Sequence, residues 1–367
     1  MPGPARAALV ISLIYLFLVG VSSLEAGIKI MGEETQQNLF SAVSNPIAGL
    51  AIGVLGTVLV QSSSASTSVI VGLVASGTLG VDSAIPMVMG ANIGTTVTNT
   101  LVSLGHVRRD GEFKRAFAAA TVHDFFNVLA VLILLPIEVL FSPIGKISKA
   151  VSTQLVGASG SDWKSPVKAW VKAPVSWIKD IWSATGAEDN LLGTIVILTG
   201  LVIILLALSF ITKNMRVLVA DRVERSVNAV LGKGGGAVAL LLGLVITVAV
   251  QSSSITTSIL IPLSAAGVLS LRNAYPVTLG ANLGTTITAL LAALAASKPD
   301  ALTVGLAHTT FNLLGILLLY VIPLARDIPI RLAEGLAEIA VQRRSAAVAY
   351  VVGAFIVLPL ICVVLLR

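Results

Sequence analysis

Val60-Gln61-Ser62-Ser63-Ser64-Ala65-Ser66-Thr67-Ser68 is a run of small, uncharged polar side chains set inside an otherwise apolar region. It recurs 190 residues later as Val250-Gln251-Ser252-Ser253-Ser254-Ile255-Thr256-Thr257-Ser258. Each copy is followed at the same distance by a second polar cluster, Gly90-Ala91-Asn92-Ile93-Gly94-Thr95-Thr96-Val97-Thr98 and Gly280-Ala281-Asn282-Leu283-Gly284-Thr285-Thr286-Ile287-Thr288. From Thr57 to Thr98 against Thr247 to Thr288, 22 of 42 positions match without a gap. The chain is internally duplicated.

Only 11% of the 367 residues are charged and 56% are hydrophobic, against about 25% charged in a soluble domain. So little charge cannot clothe a solvated surface, and the chain reads as an integral membrane protein in contact with the lipid bilayer. The apolar residues lie in separate blocks, the pattern of helices rather than the two-residue alternation of a barrel. The net charge of +6 sits mostly in short loops, where orientation signals belong; no nucleic-acid partner is implied. Cys362 is the one cysteine, which excludes an intrachain disulfide. The chain has no Asn-x-Ser/Thr sequon, in keeping with a bacterial source. The segment 7–24 is near a full span in length and has no small-residue cleavage site, so it reads as a span and not a signal peptide.

Spans are expected at 7–24, 85–104, 116–135, 191–211, 275–295, 301–323 and 346–366. Between them, the serine-rich stretches are flanked by short apolar runs. The run from Pro46 to Gln61 gives about 22 Å of helix, against a hydrocarbon core of about 30 Å. Each pair of half-length helices around a polar tip reads as a re-entrant hairpin, tolerable only where protein or water surrounds the tip. The expected fold is all-α, with two inverted repeats, each holding one hairpin and about three spans, plus an extra C-terminal span. Residues 1–140 form the first repeat (hairpin about 46–82) and 191–325 the second (hairpin about 236–271). Residues 141–190 are a connector in which Trp163, Trp170, Trp177 and Trp182 alternate with lysines, suited to headgroup level; Pro166 and Pro174 are expected to interrupt any long helix there. Residues 326–367 are an amphipathic segment and the final span. Gly232 to Gly236 is expected to be a flexible loop. Basic loops at 106–115 and 213–236 place the N-terminus in the cytoplasm and the connector outside, so the hairpins enter from opposite faces.

Half-helices that begin at a polar tip turn free N–H groups and a positive dipole end into the cavity, which favours an anion. Ser62, Ser63, Ser64, Ser252, Ser253 and Ser254 add hydroxyl donors, and Asn92 and Asn282 lie in the second cluster. The hydroxyls and amide oxygens of Gln61, Ser66, Thr95, Thr98, Gln251, Ser252, Thr256, Thr285 and Thr288 are neutral ligands for a hard monovalent cation such as Na+. Neither cluster holds a charged residue, so a bound anion needs co-bound cations for balance. Reciprocal coupling of that kind is what symport requires. His123 and Asp124, in His-Asp-Phe-Phe-Asn, and His308, in His-Thr-Thr-Phe-Asn, are candidates for a gate; helix packing is the competing role for them. Gly49-x-x-x-Gly53 reads as close helix packing.

The duplicated Gln-Ser-Ser-Ser and Gly-Ala-Asn-x-Gly-Thr-Thr motifs, with Arg115-Ala116-Phe117-Ala118-Ala119-Ala120-Thr121-Val122-His123-Asp124, resemble the type II sodium-phosphate cotransporter family over nearly the whole chain. The resemblance implies sodium-driven uptake of inorganic phosphate through an inverted-repeat core in the cell inner membrane. It also implies that the two Gln-Ser-Ser-Ser segments line the substrate site, with Gln61, Thr95, Gln251, Ser252, Thr285 and Thr288 binding sodium ions. A homodimer is an expected assembly. The chain reads as a transporter and not an enzyme. An intramembrane hydrolase using Ser63 and His123 lacks a Gly-x-Ser-x-Gly elbow. A sodium-coupled symporter of sulfate or a carboxylate competes with the phosphate reading, and so does a channel.

Overall fold

The computed structural model describes residues 3–32, 43–156, 168–233, 235–296 and 298–366, with residues 216–233 described by their backbone alone. Among them there is no strand. The helices are α1 (Gly3–Ile30), α2 (Pro46–Val60), α3 (Ser63–Ser76), α4 (Val81–Thr95), α5 (Val97–Ser103), α6 (Asp110–Phe141), α7 (Pro143–Val156) and α8 (Lys168–Ser183). They continue as α9 (Asp189–Lys233), α10 (Gly236–Val250), α11 (Ser253–Ala265), α12 (Leu271–Ala295), α13 (Pro299–Ile316), α14 (Pro323–Gln342), α15 (Arg344–Val352) and α16 (Leu358–Leu366). A π turn, Leu317–Val321, extends α13, and another, Gly353–Val357, joins α15 to α16.

Among the described residues, six stretches are long and apolar enough to cross a membrane: Pro4–Ile30, Asp110–Phe141, Asp189–Met215, Leu271–Ala295, Pro299–Val321 and Arg344–Leu366. The expected span at 85–104 is instead two helices, α4 and α5, which meet at Thr96. There the Thr96 N–H takes the carbonyl of Ile93, three residues back, rather than continuing the α ladder. Its duplicate, α12, is unbroken.

The short pairs α2/α3 and α10/α11 are held by local chemistry. Asn45 caps α2, its Oδ1 accepting from the N–H of Ile47 at 2.9 Å, and Pro46 takes the first turn, where its missing N–H costs nothing. The pairs then pack reciprocally. The arm α3 lies against α12 and α13, whereas α11 lies against α5 and α6. Likewise α7 packs on α13 and α14 on α6.

Within each half the backbones touch. A Cβ on Gly90 would stand 2.0 Å from the Leu50 carbonyl oxygen, and one on Gly280 1.8 Å from that of Leu240. Their facing partners Gly53 and Gly243 are equally tight, each 2.0 Å from a backbone oxygen. Of the Gly49-x-x-x-Gly53 pair only Gly53 sits at this contact; Gly49 has ordinary clearance. The outer end of α11 is held from the opposite half: Arg115 on α6 donates from Nε to the carbonyls of Ser264 (3.2 Å) and Ala265 (2.9 Å), where a helix leaves acceptors unpaired.

The described parts of the connector are mainly helical, in α7 and α8. Ile144, Ser148 and Ser152, four residues apart, bury one face of α7. Pro174 does not interrupt α8 but lies inside it. Proline has no N–H for the carbonyl four residues back, that of Trp170, and the Tyr15 hydroxyl donates to that oxygen at 2.9 Å. Trp170 and Trp177 are exposed; Trp163 and Pro166 lie outside the described residues. The expected loops at 213–236 and 232–236 are largely helix, since α9 runs on to Lys233; Gly234 lies outside the described residues. The amphipathic segment forms α14, with Ile330, Ala333, Ala337 and Ala340 on its buried face.

Candidate functional site

The tip of each short pair is built the same way. Gln61 and Gln251 stand in the left-handed region, at φ 55° and 56°. That conformation disfavours residues other than glycine and marks a site worth explaining. The side chain supplies the reason. Gln61 Nε2 donates to the Val58 carbonyl at 2.6 Å and Gln251 Nε2 to Val248 at 2.7 Å, closing the last turn of α2 and α10. Each Oε1 accepts at 3.0 Å from the second cluster, Gln61 from Thr98 and Gln251 from Thr288. Glycine would relieve the backbone and lose both bonds. The next residue starts the following helix: Ser62 Oγ accepts from the Ala65 N–H at 3.2 Å and Ser252 Oγ from the Ile255 N–H at 3.4 Å.

The two tips, far apart in the chain, line one cavity of about 400 Å³. Gln61, Ser62, Ser63 and Ser64 form one wall and Gln251, Ser252, Ser253 and Ser254 the other. Among the described residues, no charged side chain lines it. The first-turn amides of α3 and α11 lie at this cavity, and such amides have no partner inside their own helix. Sequence reasoning missed a third wall, from α9: Leu205, Leu208, Ser209 and Thr212. The available signal was the polar pair Ser209-x-x-Thr212 near the end of an apolar span.

The proposed cation ligands divide. Thr98 and Thr288 hold the glutamine oxygens, and Ser64 Oγ reaches Thr288 Oγ1 at 3.5 Å across the two halves. Thr95 and Thr285 bond back to the carbonyls of Ala91 and Ala281, at 2.9 and 3.2 Å. Thr256 accepts from Thr247 at 2.8 Å. At the matching positions of the first half, Thr57 and Ser66 are buried and their hydroxyls have no partner among the described residues. Buried neutral oxygens that are uncommitted in this way fit a hard monovalent cation.

Asn92 and Asn282 are outside the cavity lining. They sit in a buried seam that ties the halves together. His123 Nε2 donates to Asn282 Oδ1 at 2.8 Å, Asn282 Nδ2 to Asn127 Oδ1 at 2.7 Å, and Asn127 Nδ2 to the Asn92 carbonyl at 2.9 Å. His308 Nε2 donates to Asn92 Oδ1 at 3.3 Å. Each histidine therefore bonds to the asparagine of the other half. Asp124, fully buried, accepts from Thr100 at 3.4 Å and from the hydroxyl of Tyr350 at 3.1 Å. Tyr350 belongs to α15, in the final span that has no counterpart in the first half.

A model of the family described as Na+/Pi-cotransporter matches residues 16–157 and 203–327. The chain belongs to the Na+/Pi-cotransporter family. Curated relatives agree. Sodium-dependent phosphate transport protein 2A of Ovis aries is 35% identical over 428 aligned residues, covering 96% of this chain and 66% of the relative. Protein 2B of Homo sapiens is 35% identical over 447, covering 98% and 65%. The chain thus spans just under two thirds of the length of these relatives. No solved structure matches it. The residues that line the joint cavity of the two Gln-Ser-Ser-Ser tips all lie within the stretches that the Na+/Pi-cotransporter family model matches.

Proposed function

We propose that the protein is a sodium-coupled transporter of inorganic phosphate that works by alternating access. The observation that carries this is the single cavity lined by both Gln-Ser-Ser-Ser tips and, among the described residues, by no charged side chain. A phosphate there meets two helix starts and six serine hydroxyls, which stabilise negative charge but do not neutralise it. Sodium ions on the glutamine and threonine oxygens supply the balance, so each ion raises the affinity for the other. Phosphate would be held by Ser62, Ser63, Ser64, Ser252, Ser253 and Ser254. Sodium would be held by Gln61, Ser66, Thr95, Thr98, Gln251, Ser252, Thr256, Thr285 and Thr288, with the uncommitted oxygens of Thr57 and Ser66 the strongest pointer. Asn92 and Asn282 act as positioning residues through the histidine seam, and Asp124 as a tuner of cation access.

On this reading α2/α3 and α10/α11 are re-entrant hairpins entering from opposite faces, the N-terminus is cytoplasmic, and the membrane is the cell inner membrane. Their lengths, 15, 14, 15 and 13 residues, support this: each gives about 20 Å of helix, too short to cross a core of about 30 Å. The relatives' printed names are sodium-dependent phosphate transport proteins, which supports the pairing of ions.

The test is uptake of radiolabelled phosphate by proteoliposomes with and without an inward sodium gradient. Accumulation that needs the gradient, and that arsenate inhibits while sulfate does not, is expected. Inhibition by sulfate alone would move the reading to a different anion, and sodium-independent binding of phosphate to the purified protein would end the coupling argument.

A further inference from the structure

The two halves differ at the end of the bundle where the first helix of each hairpin begins. In the first half this place is filled by the chain itself. Glu138, buried near the end of α6, accepts from the N–H groups of Ile144 (2.7 Å) and Gly145 (2.9 Å) at the start of α7. Ile85 closes over them: its Cδ1 lies 3.4 Å from where a Cβ on Gly145 would be. A carboxylate on a helix start is the favourable arrangement of charge.

At the corresponding end of the second half there is a cavity of about 200 Å³ between the starts of α10, α12 and α14. Tyr275 stands in the register of Ile85. It is fully buried, it lines the cavity, and its hydroxyl has no hydrogen-bond partner among the described residues. Two cations lie at the rim. Arg272 is paired with Asp327 at 3.1 Å. Arg326 donates from Nε to the Tyr320 carbonyl at 2.8 Å and lies 4.9 Å over that ring. Counting Asp327, the described residues of the rim carry one net positive charge. The start of α14 has no side-chain cap, whereas its partner α7 has Glu138.

We propose that this cavity binds the phosphate group of an anionic membrane lipid headgroup, which takes the place that Glu138 fills in the first half. The phosphate oxygens would accept from the Tyr275 hydroxyl and from Arg272 and Arg326. A buried hydroxyl left without a partner costs stability, and an anionic oxygen is the partner this one lacks. The surroundings favour a lipid as the source. Leu324, two residues before Arg326, is 91% exposed, and Ile322, Val238 and Leu241, each within two residues of a lining position in the sequence, are exposed as well. In a bilayer those side chains meet acyl tails, and basic pockets between helix ends hold phosphate headgroups at that depth.

Native mass spectrometry and thermal unfolding of the purified full chain, titrated with phosphatidylglycerol, phosphatidylcholine or inorganic phosphate, test this. Phosphatidylglycerol is expected to be retained and to raise the unfolding midpoint, and phosphatidylcholine to do neither. Tyr275→Phe removes the unpartnered hydroxyl, so the lipid-free variant should unfold at the same temperature or higher. It should nevertheless bind phosphatidylglycerol about tenfold more weakly, the order expected for one hydrogen bond to a charged group. Arg326→Gln should lose a similar factor. Protection by inorganic phosphate that disappears in Tyr275→Phe but survives in Gln61→Gly would support the site with a free ion as the source. Equal retention of the two lipids, or unchanged affinity in both variants, would overturn the proposal.

Discussion

In the second short helix pair the Thr247 hydroxyl reaches Thr256 at 2.8 Å, while the matching Thr57 and Ser66 of the first are buried and unpartnered among the described residues. The glutamine turns beside them are nearly superimposable in chemistry, with φ of 55° and 56° and the same pair of side-chain bonds. The duplication has thus kept the turn that aims the serines and relaxed the hydroxyls behind it. Differences away from the tips fall in both halves. Asp124 corresponds to Thr309 in the duplicate, and Asn99, which accepts from Thr257 at 2.8 Å and Ser258 at 3.4 Å, corresponds to Ala289, whereas Tyr275 of the second half replaces Ile85. The two tips that line the cavity keep the same Gln-Ser-Ser-Ser chemistry.

The comparison can be broken first where the halves are most alike. Gly90→Leu and Gly280→Leu each drive a side chain into a facing backbone carbonyl, well beyond the usual overpacking cost of about 1–3 kcal/mol. Neither variant should yield a monodisperse peak on size-exclusion chromatography; a well-folded variant of either would mean that the contact is not tight. Next, Gln61→Gly and Gln251→Gly keep the left-handed turn and delete the amide. Sodium-driven phosphate uptake should fall at least about tenfold in both, on the scale of two lost hydrogen bonds at about 1 kcal/mol each. Should one variant transport normally, the halves contribute unequally to the site.

A smaller effect should separate the halves at Asp124. Tyr350→Phe removes the hydroxyl that the final span lends to this carboxylate. The sodium concentration for half-maximal uptake should shift about tenfold, on the order of 1.5 kcal/mol for a bond to a charged group, with the unfolding temperature little changed. An unaltered sodium dependence would leave Asp124 a packing residue. The smallest contrast is in the hydroxyls themselves. Thr247→Val breaks the bond to Thr256 and should cost about 1 kcal/mol of stability. Thr57→Val removes a hydroxyl with nothing to lose in the sodium-free protein, so its unfolding midpoint without sodium should hold or rise. Added sodium should then stabilise it less than it stabilises the parent chain. Equal losses in the two variants without sodium would show Thr57 to be bonded after all.

The short helix pairs and the turns of the candidate site were legible because both are written locally. A half-length apolar run, a glutamine, three serines and a second apolar run give the turn and its caps within about 20 residues, and the duplication certifies them. Partnership across the chain was not legible. Nothing near His123 points to Asn282, and nothing near Asp124 points to Tyr350, 226 residues on. For the same reason Asn92 and Asn282 group with the serines by proximity in sequence, whereas the packing turns them to the histidines. Pro174 misleads because its unsatisfied carbonyl is repaired by Tyr15, 155 residues away from Trp170. Ser209 and Thr212 lie in plain view but lack the duplication that draws attention to the other polar groups.

The crossed seam also bears on how the protein is made. His123 waits for Asn282, 159 residues later, and Asn127 for the same side chain, 155 residues later. A chain emerging from the ribosome at about 5–20 residues per second holds these groups without those partners for roughly ten to thirty seconds. Polar side chains stranded in hydrocarbon are costly, so the newly inserted first half would keep them against water or against the insertion machinery until its other half arrives. A chain truncated between the halves would then be expected to stay with that machinery, ready for quality control, instead of settling into the bilayer as a stable fragment.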